Sequence, residues 1–168
     1  MTTTSKITQT SSQDSIEMIA SFINAHPQGA LTTIAKEDRL QSSVVNVFET
    51  HPLNYTFKTK IDTRKYSNIR SDNTISFITY DPFSRTEASI EGIAIEVTNK
   101  NEVEEILTKI RHDSQLGRWH VSPFVNEFDD YVLFTIYPST IHMTSFWEHD
   151  SNMDVFTKLS SLKQRQNN

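Results

Sequence analysis

The chain has 168 residues, 36% hydrophobic and 22% charged, the balance of one ordinary globular domain. It has no cysteine, which excludes zinc ribbons, iron–sulfur clusters, thiol nucleophiles and disulfide scaffolds; its three glycines, Gly29, Gly92 and Gly117, are too scattered for a glycine-rich phosphate loop. The formal charge of −5 gives no global attraction to nucleic acid or anionic membrane, and no apolar run approaches the ~20 residues of a membrane span.

The opening MTTTSKITQTSSQDS lacks the apolar centre of a signal peptide, so a cytoplasmic protein is expected. Residues 1–13 read as a disordered polar tail, 14–149 as a single domain and 150–168 as a second polar tail. Asp14 and Glu17 make a capping-box-like start to a helix that reaches about Asn24, with Ile16, Ile19, Ala20 and Ile23 at helical spacing. Strands follow at Gly29–Ala35, Gln41–Thr50, Asn54–Thr59, Thr74–Tyr80 and Ala88–Thr98, all rich in Val, Ile, Thr, Phe and Tyr and joined by short polar breaks. Gly92 marks a bulge or bend in the last of these. Asn101 and Glu104 open another helix, with Val103, Ile106, Leu107 and Ile110 as its buried stripe. Two late strands, Tyr131–Tyr137 and Thr140–Phe146, are joined through Pro138 and Ser139. Seven strands with three helices predict a mainly β domain: a small antiparallel barrel with flanking helices.

Phe57 to Ile69 (FKTKIDTRKYSNI) carries the chemistry. Lys58, Lys60, Arg64 and Lys65 crowd four cations into eight residues where a strand ends and a short helix begins at Thr63. Positive charge in a first helical turn opposes the macrodipole, so it calls for compensation. A bound phosphate gives it, because helix-start amides, the Thr63 hydroxyl and a forked guanidinium can converge on one anion. The plainer alternative is a solvated basic turn neutralised by acids such as Asp62 and Asp72.

Other chemistries find less support. His26, His51, His112, His120, His142 and His149 make no paired i, i+4 ligand set, so no metal site is expected. No G-x-S-x-G elbow is present for Ser-His-Asp catalysis.

Element order and residues together resemble the pyridoxamine 5′-phosphate oxidase-like, FMN-binding split-barrel family. The resemblance runs from about Gly29 to Trp147. Its specific points are DTRK (62–65) after Phe57, Lys58 and Thr59, and HDSQLGRW (112–119), with a fainter echo in SFWE (145–148). It implies a split β-barrel whose FMN phosphate lies on Arg64 and Lys65, with Thr63 beside them and Lys58 and Thr59 near the cofactor. It places Val45 and Asn46 along the isoalloxazine ring, Glu87 where the oxidase reaches the ring with Gln, and Trp147 as a contact from the partner subunit of a homodimer.

Departures also follow from the resemblance. Ser43 stands where the oxidase has an Arg, and Phe48, Ile106 and Ile110 stand where it holds the substrate phosphate with Lys, Tyr and Arg; only Ser114 of that substrate pocket persists. The Arg-x-His-x-Arg element after the Trp is replaced by EHDSNMDVFT (148–157). Oxidation of pyridoxamine phosphate is therefore not expected. The resemblance implies an FMN-dependent oxidoreductase acting on another small molecule by hydride transfer at flavin N5. The alternative is a non-catalytic flavin- or cofactor-binding carrier or sensor related to stress-associated family members.

Overall fold

The computed structural model describes residues 13–115, 130–145 and 153–158. Helix α1 (Gln13–Ala25) leads into β1 (Gln28–Ile34), a 3-10 turn (Lys36–Asp38), β2 (Leu40–His51) and β3 (Asn54–Lys60). Helix α2 (Arg64–Ser71), β4 (Thr74–Asp81), β5 (Thr86–Glu96), α3 (Lys100–Gln115), β6 (Tyr131–Ser145) and β7 (Met153–Lys158) complete the order. None of the described helices is long and apolar enough to cross a membrane.

All strand pairings are antiparallel, in the order β3-β2-β1-β4-β5-β6-β7. A further β3–β6 ladder, Tyr55↔Ile136 to Lys60↔Tyr131, closes the first six strands into a barrel and leaves β7 outside the closure. Closure follows from alternation: Leu31, Val47, Tyr55, Phe57, Phe77, Ile90, Ile136 and Ile141 alternate inward and are almost fully buried. Each such side chain contributes about 1.5–3 kcal/mol over the exposed state.

The two late strands expected on either side of Pro138 and Ser139 are one continuous strand, β6. A bulge accommodates the proline. Gly92 pairs with Pro138 and Glu91 with Thr140, so Ser139 is the extra residue, its hydroxyl donating to the Glu91 carbonyl at 3.0 Å. Gly92 is needed there because a Cβ would stand 2.2 Å from the Tyr137 carbonyl oxygen. The seventh strand comes instead from the segment read as a polar tail: Met153–Lys158 pairs with Thr140–Ser145 of β6. Val155, Phe156 and Thr157 have the propensity for it, but the polar residues around them hide so short a run.

Helix α1 buries Ile19 and Ile23, one turn apart, in the barrel core. Helix α3 forms a second core outside the barrel, pressing Ile106, Leu107 and Ile110 onto Phe48 of β2 and Leu133 of β6. It is capped two residues earlier than expected. Asn99, not Asn101, accepts hydrogen bonds at its side-chain oxygen from the Asn101 and Glu102 amides, at 2.9 and 3.3 Å. The Asn-x-x-Glu pattern occurs at 99–102, so the local signal was present two residues upstream.

Candidate functional site: the mouth between two strands and a helix start

Strands β2 and β3 pair only from Val47↔Phe57 to His51↔Asn54. Before Val47 on β2 and beyond Phe57 on β3 the ladder between them ends, while β2 continues on β1 and β3 continues on β6. Val45, Asn46, Lys58 and Thr59 are the residues at this parting, and α2 begins just past the end of β3. Asn68 of α2 ties that helix to the strands by donating to Thr33 Oγ1 and to Gln41 Oε1, both at 3.0 Å.

Thr63 organises the helix start. Its side-chain oxygen accepts from the Tyr66 amide at 3.3 Å and donates to the Lys60 carbonyl at 2.8 Å. That use of its single proton makes Thr59 the donor in the 2.9 Å Thr59–Thr63 bond, so the buried Thr59 hydroxyl braces the cap from inside the barrel.

The four cations divide into two groups. Lys58 and Lys60 alternate to the outer face and flank the Tyr131 ring, with their ammonium groups 4.2 and 5.3 Å from its centroid. Arg64 and Lys65 occupy the first turn of α2, with Arg64 exposed and Lys65 half-buried. Burial pushes the Lys58 and Lys65 ammonium groups below their ordinary value, because desolvation disfavours charge.

The basic-turn alternative needs neighbouring acids, and the geometry disposes of one of them. Asp72 turns its carboxylate to the Thr74 amide at 2.9 Å, which holds it below the usual carboxylate range. Among the described residues, the ion pairs found are His26–Asp81, Arg39–Glu37 and Arg70–Glu96, and none uses Lys60, Arg64 or Lys65. A helix start with a hydroxyl cap, an exposed guanidinium and a half-buried ammonium fits a phosphate dianion.

Not every residue singled out in the sequence gathers here. Val45 is buried and points inward, so what it offers at the mouth is backbone; Asn46 is half-exposed on the outer face. Glu87 lies on the outer face of β5, opposite Tyr80 of β4 and Thr144 of β6. Strands β4 and β1 intervene between it and β2, so about 14 Å, three strand spacings, separates it from Asn46. Lys58 faces Leu133 of β6, whereas Glu87 faces Thr144, eleven residues further along that strand, so Lys58 too is beyond the reach of the carboxylate in the same chain.

Phe48, Ile106 and Ile110 do meet, but as packing partners only 6, 5 and 6% exposed. They form the seam that seats α3 and are not the walls of an open cavity. Lys109 edges the seam, its ammonium donating to the Glu49 carbonyl at 3.1 Å and lying 5.2 Å from the Phe48 ring. Ser114 falls in the last turn of α3; its side chain, and Trp147 altogether, lie outside the described residues. Tyr131 was not singled out from the sequence. Its link to Lys58 and Lys60 depends on a pairing across more than 70 residues, which no local spacing reveals.

No curated protein matches the chain. Solved structures do. General stress protein 26 from Bacillus anthracis is 21% identical, covering 86% of this chain and 98% of that one with a TM-score of 0.62. A putative pyridoxamine 5′-phosphate oxidase from Listeria innocua is 18% identical over 76% and 96% of the two chains (TM-score 0.61). PhzG from Burkholderia lata, solved with tetrahydrophenazine-1-carboxylic acid, is 14% identical over 87% and 90% (TM-score 0.60). These likenesses show the fold. The family model described as pyridoxamine 5′-phosphate oxidase matches residues 16–145, a span that includes the barrel closure, the parted strands and the basic helix start. The chain belongs to the pyridoxamine 5′-phosphate oxidase family.

Proposed function

We propose that the chain binds FMN at the mouth between β2 and β3 and is a flavin-dependent oxidoreductase acting on a small molecule. The observation that carries this reading is the half-buried Lys65 at the Thr63-capped start of α2, beside strands whose ladder has ended. A partly desolvated cation there is stabilised by an anion, and the parted strand edges offer backbone groups beside it.

When bound, the flavin supplies hydride acceptance and donation at its N5. The chain's own groups bind and orient. The first amides of α2, the Thr63 hydroxyl, Arg64 and Lys65 would hold the phosphate, while the backbone at Val45, Asn46, Lys58 and Thr59 would line the ring. No side chain is required as a nucleophile. Phe48, Ile106 and Ile110 themselves carry no charge for a phosphorylated pyridine, and the Lys109 ammonium at the edge of their seam is turned to the Glu49 carbonyl, which argues against pyridoxamine phosphate as substrate.

The same reading includes a homodimer with the cofactor at its interface. Two features support it: the separation of Glu87 from the mouth within one chain, and the exposure of Val44 and Ile78 on the outer sheet face.

Purified protein should show a visible flavin band at about 450 nm, with FMN identified after release. Replacing Arg64 by Ala removes a charge-assisted phosphate contact of about 1.5–3 kcal/mol and should weaken FMN retention tenfold or more. Colourless protein that binds no added FMN overturns the reading. One observation favours a second one, a flavin carrier or sensor without turnover: the tight packing of the α3 seam leaves no space for a substrate among its three apolar residues. Anaerobic reduction of the bound flavin by NADH or NADPH, followed by reoxidation, favours the enzyme; failure of both favours the carrier.

A further inference from the structure

Phe83 is the most exposed large apolar side chain among the described residues, at 95%. It sits in the turn between β4 and β5, and this turn is built. The Asp81 carboxylate accepts from the Phe83 amide at 3.1 Å, the Ser84 amide at 3.0 Å and the Ser84 hydroxyl at 2.6 Å. His26, at the end of α1, lies 3.9 Å from the same carboxylate. A turn held by three hydrogen bonds presents its aromatic ring to solvent as a fixed feature, at a hydrophobic cost that a partner surface would remove.

We propose that Phe83 is an interface anchor: it docks on a second copy of this chain beside that copy's β2–β3 mouth and forms one wall of its cofactor site. The inference rests on the FMN reading above, and it names a residue and a contact which that reading leaves open. A second copy is the occupant that the surface fits best. The outer face leading away from the turn carries Tyr80, Ile78 and Val44, which are 53, 39 and 68% exposed. Ala30 lies between Val44 and Ile78 in register, and Ser89 beyond Ile78, so small side chains keep that face flat. Beside it stand Glu87 and Glu91, two carboxylates against the one guanidinium of Arg85 in the turn, whereas Lys58, Lys60, Arg64 and Lys65 surround the mouth. An acidic hairpin and a basic mouth on one chain are self-complementary, as a two-fold interface requires: each copy offers its hairpin and receives the other's.

The absence of cysteine makes the test direct. In Phe83→Cys the introduced thiol is the only one, and Asn101→Cys, at the exposed start of α3, serves as the solvent reference. Flavin-loaded Phe83→Cys should react with a maleimide at least tenfold more slowly than Asn101→Cys. Phe83→Asp should shift the protein toward monomer by light scattering and lower flavin retention, whereas Phe83→Leu should keep both. Equal labelling rates, or an unaffected Phe83→Asp, in protein that is dimeric and yellow overturns the anchor alone. A wild type that is monomeric and colourless overturns the anchor together with the FMN reading.

Discussion

Tyr55 is fully buried in the barrel, yet among the described residues its hydroxyl has no hydrogen-bond partner. Burial, with the Glu49 charge adding to it, pushes the phenol well above its ordinary value, so the group stays neutral throughout the physiological range. A hydroxyl without a partner has already lost its hydration, and removing it deletes no bond. Tyr55→Phe should therefore be neutral or stabilising by up to about 1 kcal/mol in denaturant unfolding. A loss of more than that would mean that the hydroxyl has a partner. The contrast with Lys65 shows what a sequence discloses about single residues. The cluster of Lys58, Lys60, Arg64 and Lys65 was legible because charge and spacing are local properties. The division of that cluster into an α2 pair and a pair flanking Tyr131 was not, because it is set by strand alternation and by the β3–β6 ladder.

The α2 start depends on one hydroxyl. Thr63→Ala deletes the acceptor of the Tyr66 amide, the donor to the Lys60 carbonyl and the acceptor of the Thr59 hydroxyl. The cap alone is worth about 1 kcal/mol, and the buried Thr59 is left without that partner. The expected result is a stability loss of roughly 1–2 kcal/mol in denaturant unfolding, with weaker FMN retention. Thr63→Ser, which keeps the hydroxyl, should restore most of both. The β4–β5 turn makes a prediction in pH. Hydrogen bonds from Ser84 and Phe83 hold Asp81 below its ordinary value, so its folded-state pKa is depressed. A depressed carboxylate stabilises the fold fully above its unfolded value of about 3.9, and the contribution is lost as pH falls through the lower folded value. NMR titration of the Asp81 carboxyl should give a value below about 3.9 that rises in Ser84→Ala; a value at or above it would refute this account of the turn. Elements with strong period or cap signals were legible. Pro138 read as a break because its missing amide argues against a strand interior, and only the opposing Gly92 shows that a bulge absorbs it.

At the scale of the molecule, the barrel and the site have one cause. Six strands close around a core of inward residues, yet β2 and β3 share only the segment from Val47↔Phe57 to His51↔Asn54, so closure leaves a split. The sequence indicated a barrel through strand count and alternation, but the point where a ladder ends depends on register, which residue type alone does not set. The split lies at the surface of one copy, and the acidic β4–β5 hairpin is too far around the barrel to cover it. If a second copy covers it, FMN binding and association are linked, because a ligand that binds only the assembled site stabilises the assembly by mass action. Dilution of loaded protein should then release FMN, and added FMN should move the monomer–dimer midpoint to lower protein concentration. Ultracentrifugation across a dilution series, read at the flavin band, checks both. At 100 times the dissociation constant the ligand contributes about 2.7 kcal/mol per site, which is large enough to shift the midpoint by a factor of ten or more. A midpoint indifferent to FMN would place the cofactor within a single chain and remove the need for the partner at the mouth.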